Sequence, residues 1–161
     1  MTEHFTLAEC ESHNLCARHG IPVDENKIPV VKTPTGIIST IAEWTSACEI
    51  LEVARARIGQ SIIVSCGYRG PKLNQLAGGV PTSQHMGCRH VRKNGGVEIV
   101  QSVAFDLQLK NLAQLQDLYD IIAALPHDQL IFEKPRIGNP WLHWSWNPYH
   151  RNRMQHFVAH P

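Results

Sequence analysis

Val103-Ala104-Phe105-Asp106-Leu107 sets a carboxylate inside an apolar run. The run reads as a central strand, and an unpaired carboxylate within it is costly. Asp106 therefore needs a cation, and either an arginine or a metal ion would serve. Two other segments, Ser83-Gln84-His85 and Trp141-Leu142-His143, carry residue types that complete a three-ligand set. Two histidines and a carboxylate, with a fourth position open, are what a hydrolytic zinc requires. Each histidine also has a plainer reading. Taken alone, His143, flanked by tryptophans, reads first as a satisfied core histidine, and His85, in a Ser/Gly-rich loop, has an alternative as a solvated one.

Outward from that strand, the elements fall into an α+β order. Ser61-Ile-Ile-Val-Ser-Cys66 is β-branched and reads as a buried strand, turning out through Gly67-Tyr-Arg-Gly-Pro71. Val91 to Val100 reads as a hairpin about Asn94-Gly95. Gln129-Leu-Ile-Phe-Glu133 and Trp141-Leu-His-Trp-Ser-Trp146 are two further strands. In the second, alternation puts Trp141, His143 and Ser145 on one face and Leu142, Trp144 and Trp146 on the other. Thr40/Glu43 is a capping box opening a helix to Ile58. Its Ile41, Trp44, Cys48 and Leu51 form one stripe and Gly59 stops it. Thr6/Glu9 opens a helix expected to reach His19, and Asn111 caps another reaching Leu125. Leu73 to Leu76 forms a helical turn. Residues 21–38, with three prolines before Gly36, read as an irregular arm pinned by its Ile and Val residues. The expected architecture is a small, mostly antiparallel sheet with helices packed on one side. The polar, His/Arg-rich tail 147–161 is expected to be loosely ordered.

The chain has 161 residues, which fits one domain, 1–161, with one core. A formal charge of +1 argues against general nucleic-acid binding. No apolar run approaches the roughly 18 residues that span a bilayer, so no membrane association is expected. The N-terminus lacks a signal-peptide pattern, so synthesis in the cytoplasm is expected. Five cysteines without CxxC spacing suggest neither disulfides nor a cysteine zinc site. His4, His13, His19, His156 and His160 read as solvated.

Ser65-Cys-Gly-Tyr-Arg69, Asn74, Gly78-Gly79, Ser83-Gln-His85, Ala104-Phe-Asp106, Gln129-Leu-Ile-Phe-Glu133 and Trp141-Leu-His143 follow one another in this order. Together, over about residues 60–146, they resemble the zinc D-Ala-D-Ala carboxypeptidases and related peptidoglycan endopeptidases. The likeness is greatest to the single-domain type found among bacteriophage endolysins. The resemblance implies a hedgehog/D-Ala-D-Ala-peptidase-like fold and zinc held by His85, Asp106 and His143. It implies Glu133 as general base and Arg69 as the residue binding substrate or stabilising the oxyanion. Ser83, Gln84, Tyr68 and Asn74 would contact substrate. The implied reaction is hydrolysis of a peptide bond in peptidoglycan stem peptides or crosslinks, by a monomer that reaches the wall when a phage releases it. The alternative is a non-catalytic metal-binding or cell-wall-binding module, such as a phage structural component.

The chain departs from the family pattern SxHxxGxAxD in having 20 residues between His85 and Asp106. Gly87 stands for the motif glycine, and the surplus is the Asn94-Gly95 hairpin, which returns the chain to its starting point and can cover the groove. His90 beside it is a rival ligand. The segment from Glu133 to Trp141 is also long, and Glu133 has an alternative as a salt-bridge partner of Lys134 or Arg136. Arg69 has an alternative as the structural partner of Asp106.

Overall fold

In the computed structural model, residues 1–13, 16, 18, 20–22, 25–30, 38–148 and 152–159 are described. The first helix, α1 (Leu7–Glu11), starts at a complete capping box. The Glu9 amide donates to Thr6 Oγ1 at 3.2 Å, and the Thr6 amide donates to Glu9 Oε2 at 2.9 Å. It ends sooner than expected. Ser12 takes an extended conformation and directs both its amide and its hydroxyl at the Glu9 carbonyl, the competition by which serine closes helices. Leu15, Ala17 and His19 lie outside the described residues.

In the arm that follows, Ile21 and Ile28 are buried. The buried Glu11 carboxylate accepts from the Ile28 amide and from Lys27 Nζ. Asn26 reaches the turn after the first strand, donating to the Tyr68 carbonyl and accepting from the Gly70 amide. The arm is therefore fastened to the Gly67–Gly70 turn by side-chain hydrogen bonds rather than by regular structure. Residues 31–37 lie outside the described set.

Helix α2 (Ile41–Ile58) runs as its pattern predicts, from the Thr40/Glu43 box to Gly59 at φ 71°. Its Trp44, Ala47, Cys48, Leu51 and Ala54 are buried. A short α3 (Pro71–Leu76) follows the turn, and α4 (Leu115–Ala123) is entered through a 3-10 turn that Asn111 caps. All five cysteines are free, as expected.

Five strands form the main sheet: β1 (Ile62–Cys66), β4 (Val103–Leu109), β5 (Gln129–Glu133), β6 (Trp141–Trp146) and β7 (Gln155–Ala159). Their order is β1-β4-β6-β5-β7, antiparallel except for the parallel β5/β7 edge. β2 (Cys88–Lys93) and β3 (Gly96–Gln101) form a separate hairpin. Asn94 and Gly95 both have positive φ, 49° and 82°, as a two-residue type I′ turn needs. The loosely ordered tail is a correction, since residues 155–159 extend the sheet alongside β5.

Alternation divides the sheet into two faces. Phe105, Leu107, Leu130, Leu142 and Trp144 are buried on one face, against Trp44, Leu51, Leu118 and Ile122 of α2 and α4. Phe105 stacks on Trp144 at 6.0 Å and meets Trp44 edge-on at 5.0 Å. Such pairs add about 0.5–1.5 kcal/mol each beyond their burial. The opposite face carries Asp106, Glu133 and His143, every second residue of β4, β5 and β6. The fold is α+β, mostly antiparallel, as the sequence predicts.

Candidate active site

Asp106 and His143 face each other across adjacent strands, because the β4/β6 register pairs them directly. His143 Nδ1 lies 3.1 Å from Asp106 Oδ1. His85 arrives from outside the sheet, on a one-turn 3-10 segment (Gln84–Met86), and its ring is 1% exposed. His85 Nδ1 donates to the Gly67 carbonyl at 2.7 Å, which leaves Nε2 as the atom with a lone pair. That Nε2 lies 3.2 Å from His143 Nδ1 and 3.3 Å from Asp106 Oδ1. Three donor atoms thus form a triangle with sides of 3.1–3.3 Å. Burial would raise the Asp106 carboxyl, but the two imidazoles outweigh it and hold the group well below the usual carboxylate range. Burial lowers the His85 pKa, against the pull of Asp106, and so favours the neutral ring that binds metals.

Cys66 also lies at this cluster. Its thiol, with His85 and Asp106, offers ligand atoms within 4.8 Å of one another. Sγ sits 3.7 Å from His85 Nδ1, the nitrogen already committed to Gly67. Burial, and then the Asp106 charge, push the thiol pKa well up. His143 Nδ1, within 3.2 Å of both other donor atoms, is the third corner of the triangle.

Glu133 stands on the same sheet face, opposite Trp141 and diagonal to His143. The salt bridge to Lys134 or Arg136 is not made among the described residues, and Lys134 Nζ lies over the Phe132 ring instead. Burial raises the Glu133 pKa, and the Asp106 charge adds to this while His143 opposes it. Arg69 is not paired with Asp106. Its Nη2 donates to Ser83 Oγ at 3.4 Å, and its Nε is a buried donor without a partner.

The other expected contacts are placed differently. Gln84 is buried and donates to Ser102 Oγ and Asp128 Oδ2. Tyr68 is a core residue set edge-on to Trp44. Asn74 is buried and donates to the Val80 carbonyl, and Gly79 packs so closely on it that any Cβ there would strike the Asn74 amide. These three side chains meet needs of the fold, and only Ser83 stays beside Arg69. His90 is exposed on β2, opposite Ile99, and is not part of the triangle. His13 is a correction in the other direction. It is half-buried, its pKa is lowered by burial and then by Arg69, and Asp106 and His85 act on it as well. With Glu11, Cys16 and Ile21 it lines a cavity. No pattern in the sequence marks His13, because its electrostatic coupling to Arg69, Asp106 and His85 arises only in the fold.

The family model for Peptidase M15 matches residues 3–133. The chain belongs to the peptidase M15 family. The matched span of this M15 domain contains Arg69, His85, Asp106 and Glu133 and stops before His143. No curated protein matches the chain. The resemblance read from the motifs is thus borne out at the level of the family, the zinc D-Ala-D-Ala carboxypeptidase family, and the M15 domain is a peptidase by membership. M15 peptidases depend on zinc, and the donor set here suits that ion. Zinc bonds of about 2.0–2.1 Å at a tetrahedral centre set donor atoms about 3.3 Å apart, close to the observed triangle. No helix among the described residues of this M15 domain is long and apolar enough to cross a membrane.

Proposed function

We propose that the chain is a zinc peptidase that hydrolyses a peptide bond in the stem peptides or crosslinks of bacterial peptidoglycan. The observation that supports this best is the His85/Asp106/His143 triangle, with an acid and a guanidinium at its edge that have no structural ion-pair partner among the described residues. His85, Asp106 and His143 would hold zinc. When bound, zinc lowers the pKa of a water molecule and polarises the scissile carbonyl.

Glu133 takes the proton from the attacking water and delivers it to the leaving amine. Its raised pKa suits that exchange, since a base works best near the operating pH. Arg69 binds a substrate carboxylate or the developing oxyanion, with Ser83 Oγ holding one end of the guanidinium. His85 keeps its ring orientation through Gly67, so the ligand need not reorganise when substrate arrives. A bond involving a D-amino acid, action by a monomer, and release to the wall at phage lysis come from the family likeness. The partnerless acid favours an enzyme over a binding module.

The test is incubation of purified peptidoglycan with the protein, with and without a chelator. New amine termini that vanish with chelator and return with zinc are expected, and mass spectrometry of the products identifies the bond. No new termini with zinc restored would refute the peptidase reading.

A further inference from the structure

We propose that Gln84, clamped by the buried Asp128 carboxylate, is a positioning residue that sets the metal affinity of His85. The inference rests on the zinc reading above and concerns residues that lie outside the ligand triangle. Asp106 and His143 need no extra device, because paired strands fix them. His85 does, because it comes from outside the sheet on a short turn closed by two hydrogen bonds of its own, from the Met86 amide to the Ser83 carbonyl and from the Gly87 amide to the Gln84 carbonyl, both at 3.0 Å. The ring's bond to Gly67 fixes its rotation. Backbone bonds join the turn to its surroundings, from the Arg69 amide to the His85 carbonyl at 2.8 Å and from the Ser39 and Ser102 amides to the Gly87 carbonyl at 2.8 and 3.1 Å.

Gln84 adds side-chain tethers at the first residue of the turn. Its Nε2 donates to Asp128 Oδ2 at 3.0 Å and to Ser102 Oγ at 2.9 Å. Each partner precedes a strand of the main sheet and bonds to β6, the strand that carries His143. Ser102 immediately precedes β4 and donates to the Trp146 carbonyl of β6 at 3.2 Å. Asp128 precedes β5, and its amide donates to the Ser145 carbonyl, two residues along β6 from His143. Asp128 is itself 0% exposed, and its charge is held by Arg89 Nη1 and by Arg153 Nη2 at 2.6 Å. One buried carboxylate therefore ties the His85 turn, the root of the hairpin and the entry to β7 to the frame of the other two ligands. Partners of this kind, one shell out from a metal, are worth about 10- to 100-fold in metal affinity.

The measurement is zinc affinity by competition with a chromophoric chelator, alongside the melting midpoint of the metal-free protein. Wild type is measured first. Gln84→Leu removes both tethers at similar size, and a loss of about 10- to 100-fold in zinc affinity is expected. Gln84→Asn keeps the amide one methylene short and should fall between. The pair Gln84→Glu with Asp128→Asn reverses the polarity of the bond and should recover part of the affinity. Arg153→Ala, which loosens β7 from the same carboxylate, should lower the melting midpoint and leave zinc affinity in place. Gln84 variants within about threefold of wild type overturn the inference, and so does an equal loss in Arg153→Ala, which would mark a general stability effect. A wild-type protein that holds no zinc overturns the zinc reading and this inference with it, and is told apart because wild type is the first measurement.

Discussion

Asp106 meets two imidazoles rather than an arginine, which is the arrangement the proposed metal site requires. The residue types of the triangle were legible in the sequence, since a carboxylate in an apolar strand announces a missing cation. The surrounding polar contacts were not. Gln84 looks like a loop residue until Asp128, 44 positions away, receives its amide. His13 is ordinary in sequence and is coupled to Arg69, Asp106 and His85 only by the fold. Two predictions belong at this scale. Glu133→Gln keeps the shape of the side chain and removes its basicity. Zinc content should stay stoichiometric while turnover of peptidoglycan falls by roughly 100- to 10,000-fold, the range of general-base catalysis. Unchanged turnover would remove Glu133 from its role. His143→Ala deletes one corner of the triangle, and the purified protein should lose its zinc, read by metal analysis after dialysis. Full retention would mean another ligand set, with Cys66 as the first alternative.

At the scale of elements, helices and strands with regular periods were readable, and the exceptions have physical causes. β5 and β6 alternate apolar and polar residues, and α2 carries its own start and stop signals. β7 does not announce itself, because it is an edge strand with His156 and Val158 exposed. Its pairing with β5 depends on the Arg153–Asp128 ion pair and on a chain of contacts from Tyr119 through His156 to the buried His127. The hairpin inserted between His85 and Asp106 is different again. Residues 96–99 are exposed, and its anchors, Arg89, Val100 and Gln101, are buried at the root. Replacing residues 90–99 by a short glycine-containing link should therefore leave zinc binding intact and move the melting midpoint little. If the hairpin covers the groove, the change should appear in digestion of polymeric peptidoglycan relative to a short soluble stem peptide. Loss of zinc on shortening would instead make the hairpin part of the metal frame.

For the whole molecule, the helix-packed face supplies a hydrophobic core and the opposite face supplies the chemistry. A buried charge cluster holds the loops of that second face to the sheet. Asp128 is the centre of this cluster, and it makes the stability of the protein depend on acid. Burial alone would raise its pKa, but the hydrogen bonds from Arg153 and the Arg89 charge outweigh burial and lower it below the ordinary carboxylate value of about 3.9. A carboxylate whose folded-state pKa is lowered contributes stability that is present above the unfolded-state value and lost as pH falls through the folded one. The wild-type protein should thus keep this contribution at neutral pH and lose it below about pH 4. Asp128→Asn should be less stable at pH 7, because the buried Arg89 guanidinium loses its counter-charge and the more exposed Arg153 loses its partner. The variant should also show a shallower fall in stability between pH 5 and pH 2, since the titrating group is gone. Urea midpoints for both proteins across that range test the claim. Parallel acid limbs in the two proteins would mean that Asp128 is not linked to folding, and that the metal turn, the hairpin and the C-terminal strand are held independently of one another.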